Sequence, residues 1–350
     1  MLGLCVVTMK ILTVLLIPLT ELCNALGTPL MISDDRRPFY NIAHMVNSIP
    51  EIDYYLKKGA NAIETDVNFS VEGLAKTTYH GVPCDCFRRC MLRSNIVDFL
   101  QYIRELTKDG NKTVAMLMLD LKVQELAKST QTYAGIDLFS KLVDYLWYQV
   151  SETNRVNVLI SIPRAEDKNI FKGFLGELSK SEYRTYRNRI GFDVGLNSQL
   201  TEISSMYDAL GISENIWQGD GITNCLVGMR PDNRLREAIE LRDATNGYVH
   251  KVYHWTIDLT SALENSLHSG VDGIITNHPE RVNSLVNYAY AARYRLANQT
   301  DSPWKKMLKI SKSGSIAGSR SVVFDVIVNL MELSQQAIGY FSRLLVRYRR

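Results

Sequence analysis

Ala62-Ile63-Glu64-Thr65-Asp66-Val67-Asn68-Phe69 is the stretch whose reading decides the fold. Its β-branched and apolar residues read as a buried strand, yet it carries two carboxylates. Side chains alternate along a strand, so Glu64 and Asp66 point to the same side, about 7 Å apart. Like charges on one face repel, and a divalent cation between them is the simplest relief. The alternative is an exposed edge strand whose acids are solvated. The flanking sequence has to decide between them.

Ahead of this stretch, Pro38 to Met45 reads as a short apolar strand with His44 at its end. Ile49 to Lys58 has helical spacing, with Ile52, Tyr55 and Leu56 on one face and Gly59 closing it. Strand, helix and strand within about thirty residues make a βαβ unit. Behind it, Ser70 to Arg93 reads as a long loop, functional or stapled, and Ile96 to Thr107 as a helix. Thr113 to Lys122 is the next apolar strand, with Asp120 and Lys122 on one face near its end. The alternation continues with predicted helices at 136–150, 169–178, 200–210, 232–246 and 261–269. Predicted strands lie between and after them at 156–162, 189–194, 216–221, 251–258 and from Val271 to Pro279. Eight such units predict an α/β fold, a (β/α)8 TIM barrel. An open doubly wound sheet is the alternative, but no Gly-x-Gly-x-x-Gly follows the first strand, so a dinucleotide fold has no support.

The chain has 350 residues, 46% hydrophobic and 22% charged, which suits a sizeable core and not a disordered chain. Its net charge of +3 hides an asymmetry. From Trp304 onward nine basic residues face only Asp325 and Glu332, a net +7 that leaves −4 for the rest. That body is no nucleic-acid binder. At the start, Lys10 precedes the apolar run Ile11 to Leu19, and Cys23-Asn24-Ala25 offers small residues for cleavage. Residues 1–25 therefore read as a signal peptide, with a membrane anchor or a buried helix as alternatives. The run is too short to span a bilayer. Cleavage leaves Cys84, Cys86, Cys90 and Cys225, an even set that predicts two disulfides in one of three pairings. Zinc is a weak rival, since Cys-x-Cys-x3-Cys lacks the usual paired spacing. Asn68, Asn111 and Asn298 head glycosylation motifs, Asn68 doubtfully because it lies in the acidic strand.

Barrel enzymes work at the C-terminal ends of their strands. There fall His44, the pair Glu64 and Asp66, the pair Asp120 and Lys122, Trp255 and Asn277, with His80 in the loop after the second strand. Taken singly, each has a plain structural reading: a satisfied histidine, an Asp120–Lys122 ion pair, turn chemistry at Asn277. Together they suggest attack at a phosphodiester. Three carboxylates suit Mg²⁺, which keeps open positions for phosphate oxygens. Lys122 adds positive charge, and two histidines divide acid and base or nucleophilic roles.

Several ordered motifs carry a resemblance: His44-Met45-Val46-Asn47, Gly59 to Val67, Tyr79-His80-Gly81-Val82-Pro83-Cys84-Asp85-Cys86, Asp120-Leu121-Lys122 and Asp272 to Asn277. They resemble the arachnid sphingomyelinase D/phospholipase D toxins, the dermonecrotic toxins of spiders and their tick relatives, related to glycerophosphodiester phosphodiesterases. The resemblance runs from about residue 36 to 307 and includes Asn298 to Trp304, similar to that family's barrel-bottom plug. It implies Mg²⁺ on Glu64, Asp66 and Asp120, and His44 and His80 as the acid/base and nucleophilic pair. It also implies a substrate site lined by Lys122, Tyr253, Trp255 and Asn277, and disulfides Cys84–Cys90 and Cys86–Cys225. The implied activity is release of choline from sphingomyelin or lysophosphatidylcholine by the lipid's own hydroxyl, leaving a cyclic phosphate. That makes it a lyase, secreted and monomeric, meeting membranes or lipoprotein transiently.

Two departures stand out. His254 and His278 occupy places where tyrosines are expected, with a bearing on headgroup preference. Residues 310–350 form an unusual tail, whose spacing from Val323 to Leu345 and terminal Arg347-Tyr348-Arg349-Arg350 read as a basic amphipathic helix for an anionic membrane surface, with a helix packed on the barrel or a disordered segment as the alternatives. The competing functions are a phosphodiesterase for small soluble diesters and a non-catalytic lipid-binding scaffold.

Overall fold

The computed structural model describes residues 34–110 and 114–307. The expected signal peptide, Asn111 and the tail at 310–350 lie outside them. Eight parallel strands form the barrel: β1 (Arg37–Ala43), β2 (Ala62–Phe69), β5 (Met116–Lys122), β6 (Asn157–Ile162), β7 (Ile190–Val194), β8 (Trp217–Gly221), β9 (Lys251–Trp255) and β10 (Gly273–Thr276). Their order is β7-β6-β5-β2-β1-β10-β9-β8. A bridge from Phe192 to Ile216, just ahead of β8, joins the two ends.

The pattern read in β2 explains its place. Ile63 and Val67 face outward into the layer between strands and helices, while Ala62 joins an inner cluster with Tyr40, Met118, Trp217 and Tyr253. Glu64 and Asp66 share that inner face, and both are almost fully buried. The edge-strand alternative therefore fails: β2 pairs with β1 on one side and β5 on the other. The register aligns Asp66 with Asp120, Asp120 with Ser161, and Ser161 with Asp193. One level of the barrel thus carries a row of polar side chains across four neighbouring strands.

Three local expectations need correction. The segment 70–93 is not all loop. It contains β3 (Ala75–Thr78), antiparallel to β2, and leads to β4 (Ser94–Asn95). The helix expected from 136 begins at Lys128, because its polar first turns still bury Gln131, whose side chain reaches Asp167 2.9 Å away. Nor was the 3-10 segment Ser181–Arg189 anticipated, a run too polar to show a buried face.

The barrel floor is closed by the segment after β11 (Tyr294–Leu296), which pairs with the start of β1. Trp304 packs against Gly191, where any Cβ would lie 2.1 Å from its ring. Its indole donates to the Asn188 carbonyl at 2.9 Å, and Trp217 donates to the Pro303 carbonyl at 2.9 Å. Near the same end, the Asp272 carboxylate meets Arg242 at 2.7 Å, Arg37 at 3.1 Å and Lys251 at 3.4 Å, all buried. Both cysteine pairs are bonded, Cys84 to Cys90 and Cys86 to Cys225. The second ties the loop after β2 to the loop after β8.

Candidate active site

A cavity of about 510 Å³ opens at the C-terminal ends of the strands. Its wall includes His44, Glu64, Asp66, His80, Asp120, Lys122, Tyr253 and Trp255. Glu64, Asp66 and Asp120 each offer a carboxylate oxygen within 4.8 Å of the others. Burial, then the neighbouring Asp66 charge, pushes Glu64 up to about 8. Burial opposes ionisation of Asp66 as well. There the positive charge of Lys122 and a 2.6 Å hydrogen bond from Asn47 prevail and lower it. Lys122 Nζ lies 2.7 Å from Asp66 and 2.6 Å from Asp120. Three hard oxygen donors, one of them unable to ionise freely without added positive charge, are a donor set that fits a divalent cation.

His44 follows β1 directly. Its Nδ1 lies 3.2 Å from the Asp85 carboxylate and 3.2 Å from the Asn277 side-chain oxygen. Both are acceptors, so Nδ1 carries a hydrogen. Burial disfavours the imidazolium, but Asp85 outweighs it and raises His44 to about 9. Asp85 is in turn held well below the usual carboxylate range: its burial works the other way, but His44 and a 2.6 Å hydrogen bond from Thr223 dominate. His80 is arranged differently. Its Nδ1 donates to the Gly81 carbonyl at 2.8 Å, so Nε2 is the ring nitrogen left for a ligand.

Asn277 is set one layer back from the cavity. Its amide donates to Asp258 at 2.9 Å, which turns its oxygen toward His44. Asp258 also accepts from Thr276, Asn224 and the Asn277 backbone. Arg88 binds the carbonyls of His44 and Met45 at 2.9 and 2.8 Å, pinning the stapled loop to the histidine's own backbone. The Tyr253 ring lies over Gly219, where a Cβ would come within 2.4 Å of it, and its hydroxyl donates to Asp193 at 2.8 Å. The Trp255 indole N–H is buried without a partner among the described residues.

The two unexpected histidines are absent from the cavity wall. Alternation along β9 turns His254 outward between Tyr253 and Trp255, and its Nδ1 meets Ser266 at 2.8 Å. Burial lowers it to about 4. His278 pairs with Glu280 at 3.2 Å. Asn68 donates its amide to the Tyr79 carbonyl within the sheet, which speaks against a sugar there.

Sequence reading did not single out Asp85, Asn47, Asp193 or Asp258. Asp193 was findable by the logic applied to Glu64, as a lone acid in an otherwise apolar strand. It is fully buried, accepts from Ser161 and Tyr253, and burial nonetheless pushes it up to about 7.

A dermonecrotic toxin SPH family model matches residues 34–304. Dermonecrotic toxin SPH of Ixodes scapularis is 43% identical over 300 residues, covering 83% of this chain and 82% of the relative. Dermonecrotic toxin StSicTox-betaIB1i of Sicarius terrosus is 43% identical over 280 residues, 78% of this chain and 100% of the relative. Among solved structures, a putative glycerophosphoryl diester phosphodiesterase from Silicibacter pomeroyi aligns with a TM-score of 0.48 at 13% identity, covering 75% of this chain and 98% of its own. By the family match and these identities over most of its length, the chain belongs to the dermonecrotic toxin SPH family.

Proposed function

We propose that the protein is a secreted, Mg²⁺-dependent phospholipase D-like lyase that releases choline from sphingomyelin or lysophosphatidylcholine. The observation that carries the reading is the joint presence of His44, His80, Lys122 and the three carboxylates on the wall of one cavity. Glu64, Asp66 and Asp120 would hold the cation, which would supply positive charge against the phosphate oxygens.

The two histidines are poised for opposite roles. His80, whose Nδ1 is held by the Gly81 carbonyl, takes at Nε2 the proton from the lipid's own hydroxyl as its oxygen bonds to phosphorus. His44, kept as imidazolium by Asp85, gives its Nε2 proton to the choline oxygen as the phosphorus–oxygen bond to choline breaks. The products are choline and a cyclic phosphate. Lys122 supplies a second positive charge beside the reacting phosphate, and the Trp255 face suits a quaternary ammonium.

A lipid substrate is supported by the mouth of the cavity. Leu196 and Leu226 line it while remaining 38% and 41% exposed. Val82 and Met229, 79% and 77% exposed, stand on the two loops that the Cys86–Cys225 bond joins. Apolar side chains placed at an opening suit a lipid surface better than a small diester. Two disulfides suit an oxidising, extracellular setting, and among the described residues no helix is long and apolar enough to cross a membrane.

Incubation with lysophosphatidylcholine, followed by phosphorus NMR, tests the reading. A cyclic phosphate is expected, and it should disappear in His44→Ala and in His80→Ala. Turnover retained in either variant would remove the assigned roles, and glycerol phosphate formed from a soluble diester would favour a phosphodiesterase instead.

A further inference from the structure

A second concavity, of about 280 Å³, lies beside the stapled loop and the helix Ile49–Lys57. Its wall includes Tyr54, Lys58, Arg88, Arg89, Leu92 and His278. The catalytic carboxylates, Lys122 and His80 are absent from it. The two concavities share no lining residue.

Its charge is unevenly satisfied. Arg88 is nine-tenths buried and gives one terminal nitrogen to Glu51 at 3.1 Å and the other to the His44 and Met45 carbonyls. Its Nε is buried with no partner among the described residues, which is costly for a charged donor. Arg89, half-buried beside it, has no hydrogen-bond or ion-pair partner among the described residues. Lys58 sits 4.9 Å from the Tyr54 ring centre and meets Glu280 at 3.2 Å. Glu280 also holds His278. That acid is 41% exposed, so the pair is a weak rival for a ligand. Two guanidiniums and an ammonium around one concavity, with one buried N–H unmet, are donors arranged for an oxyanion.

We propose that this concavity binds the phosphate group of an anionic phospholipid, as a site separate from the one that turns substrate over. The lipid source is favoured by what borders it. Met91 and Leu92, 61% and 39% exposed, follow Arg89 and Cys90 directly in the chain, and put apolar side chains next to a headgroup-sized anion site. Arg88 joins this site to the chemistry, because the guanidinium that faces it also holds the backbone of His44. The site itself stands on its own donors and depends on the lipid reading above only for the source of the phosphate.

Arg89→Ala is the informative variant, since Arg89 has no described partner to lose. Vesicle sedimentation of the full chain in chelator measures binding without turnover. Vesicles of phosphatidylcholine with phosphatidic acid should retain wild-type protein more strongly than phosphatidylcholine alone. Arg89→Ala should lose about tenfold of that preference, with Arg89→Lys partly restoring it. Calorimetric titration with soluble glycerol 3-phosphate gives the second arm. Saturation by the soluble ester that depends on Arg89, with no vesicle preference, keeps the anion site but overturns its lipid source. Equal binding by wild type and Arg89→Ala, or no binding in either arm, overturns the site. Turnover of soluble lysophosphatidylcholine should be retained in Arg89→Ala. Its loss together with unchanged anion binding would mark Arg89 as part of the reaction site and overturn the separation of the two.

Discussion

The Asp85 carboxylate lies 3.2 Å from Nδ1 of His44, across the gap between the stapled loop and the end of β1. That contact is the largest influence raising His44 to about 9 against its burial. A histidine raised in this way acts as an acid below about pH 9 and loses the function as pH rises through that value. Asp85→Asn should therefore move the alkaline limb of the rate profile down toward or below 6.5. A limb at 6.5 leaves about a quarter of the acid protonated at pH 7, so the rate there should fall at least about fourfold. A pH–kcat profile checks this, and an unmoved limb would mean that Asp85 does not tune His44.

The disulfide to Cys225 should matter for the same histidine. With Cys86→Ser and Cys225→Ser together, the loop that carries Asp85 loses its covalent tie to the loop after β8 and keeps only hydrogen bonds such as that from Thr223. Stability should fall by about 2–4 kcal/mol, read by urea unfolding. The alkaline limb should shift in the direction of the Asp85→Asn variant. A stability loss with an unmoved limb would make the bond purely structural.

Glu64→Gln separates metal binding from folding. Glu64 is raised from 4.5 to about 8 in the metal-free chain, so its ionisation opposes folding progressively above its unfolded pKa. In chelator, the Glu64→Gln variant should match wild type below pH 4.5 and exceed it in melting temperature as pH rises toward 8. The 2.7 Å hydrogen bond from the Met45 N–H can still be accepted by the amide oxygen. Added Mg²⁺ should stabilise wild type, while titration calorimetry shows at least about tenfold weaker binding in the variant.

Asp272 belongs to the opposite end of the barrel and should affect stability alone. Burial opposes its charge, but Lys251, Arg242 and Arg37 hold it down to about 2. Its contribution is complete above its unfolded value of 3.8 and is lost as pH falls through about 2. Asp272→Asn leaves three buried cations short of their acceptor and should cost about 3–5 kcal/mol, measured by urea unfolding at neutral pH. Any activity that remains should keep the wild-type pH profile.

The fold was legible because each barrel strand carries its own signature. Apolar runs such as Met116 to Leu119 alternate with helical spacing, and polar residues mark the strand ends. Glu64, Asp66 and Asp120 were visible for a physical reason, since a charge inside an apolar run is costly unless something meets it. Asp85 was not, because a polar residue in a polar loop carries no such cost locally. Its importance arises only when two disulfides and Thr223 bring it onto His44. Asn277 and Trp255 look alike as strand-end residues, yet one turns behind His44 and the other onto the cavity wall. The outward turn of His254 follows from alternation, but only after β9 is anchored by Tyr253 reaching Asp193. Gln131 shows the converse limit, a buried polar group that hides a helix start because its partner Asp167 is distant in sequence.

The bond between Cys86 and Cys225 also orders events during synthesis. The histidine and two of the acids belong to the first part of the chain to leave the ribosome, but the partner that tunes His44 cannot be locked until Cys225 has emerged and been oxidised. A nascent or reduced chain can carry every reacting side chain and still lack a tuned acid. On the function proposed above, full catalytic power then comes only once that bond has formed, as an oxidising compartment allows. Assaying freshly translated protein before and after oxidation would show whether activity rises at that step.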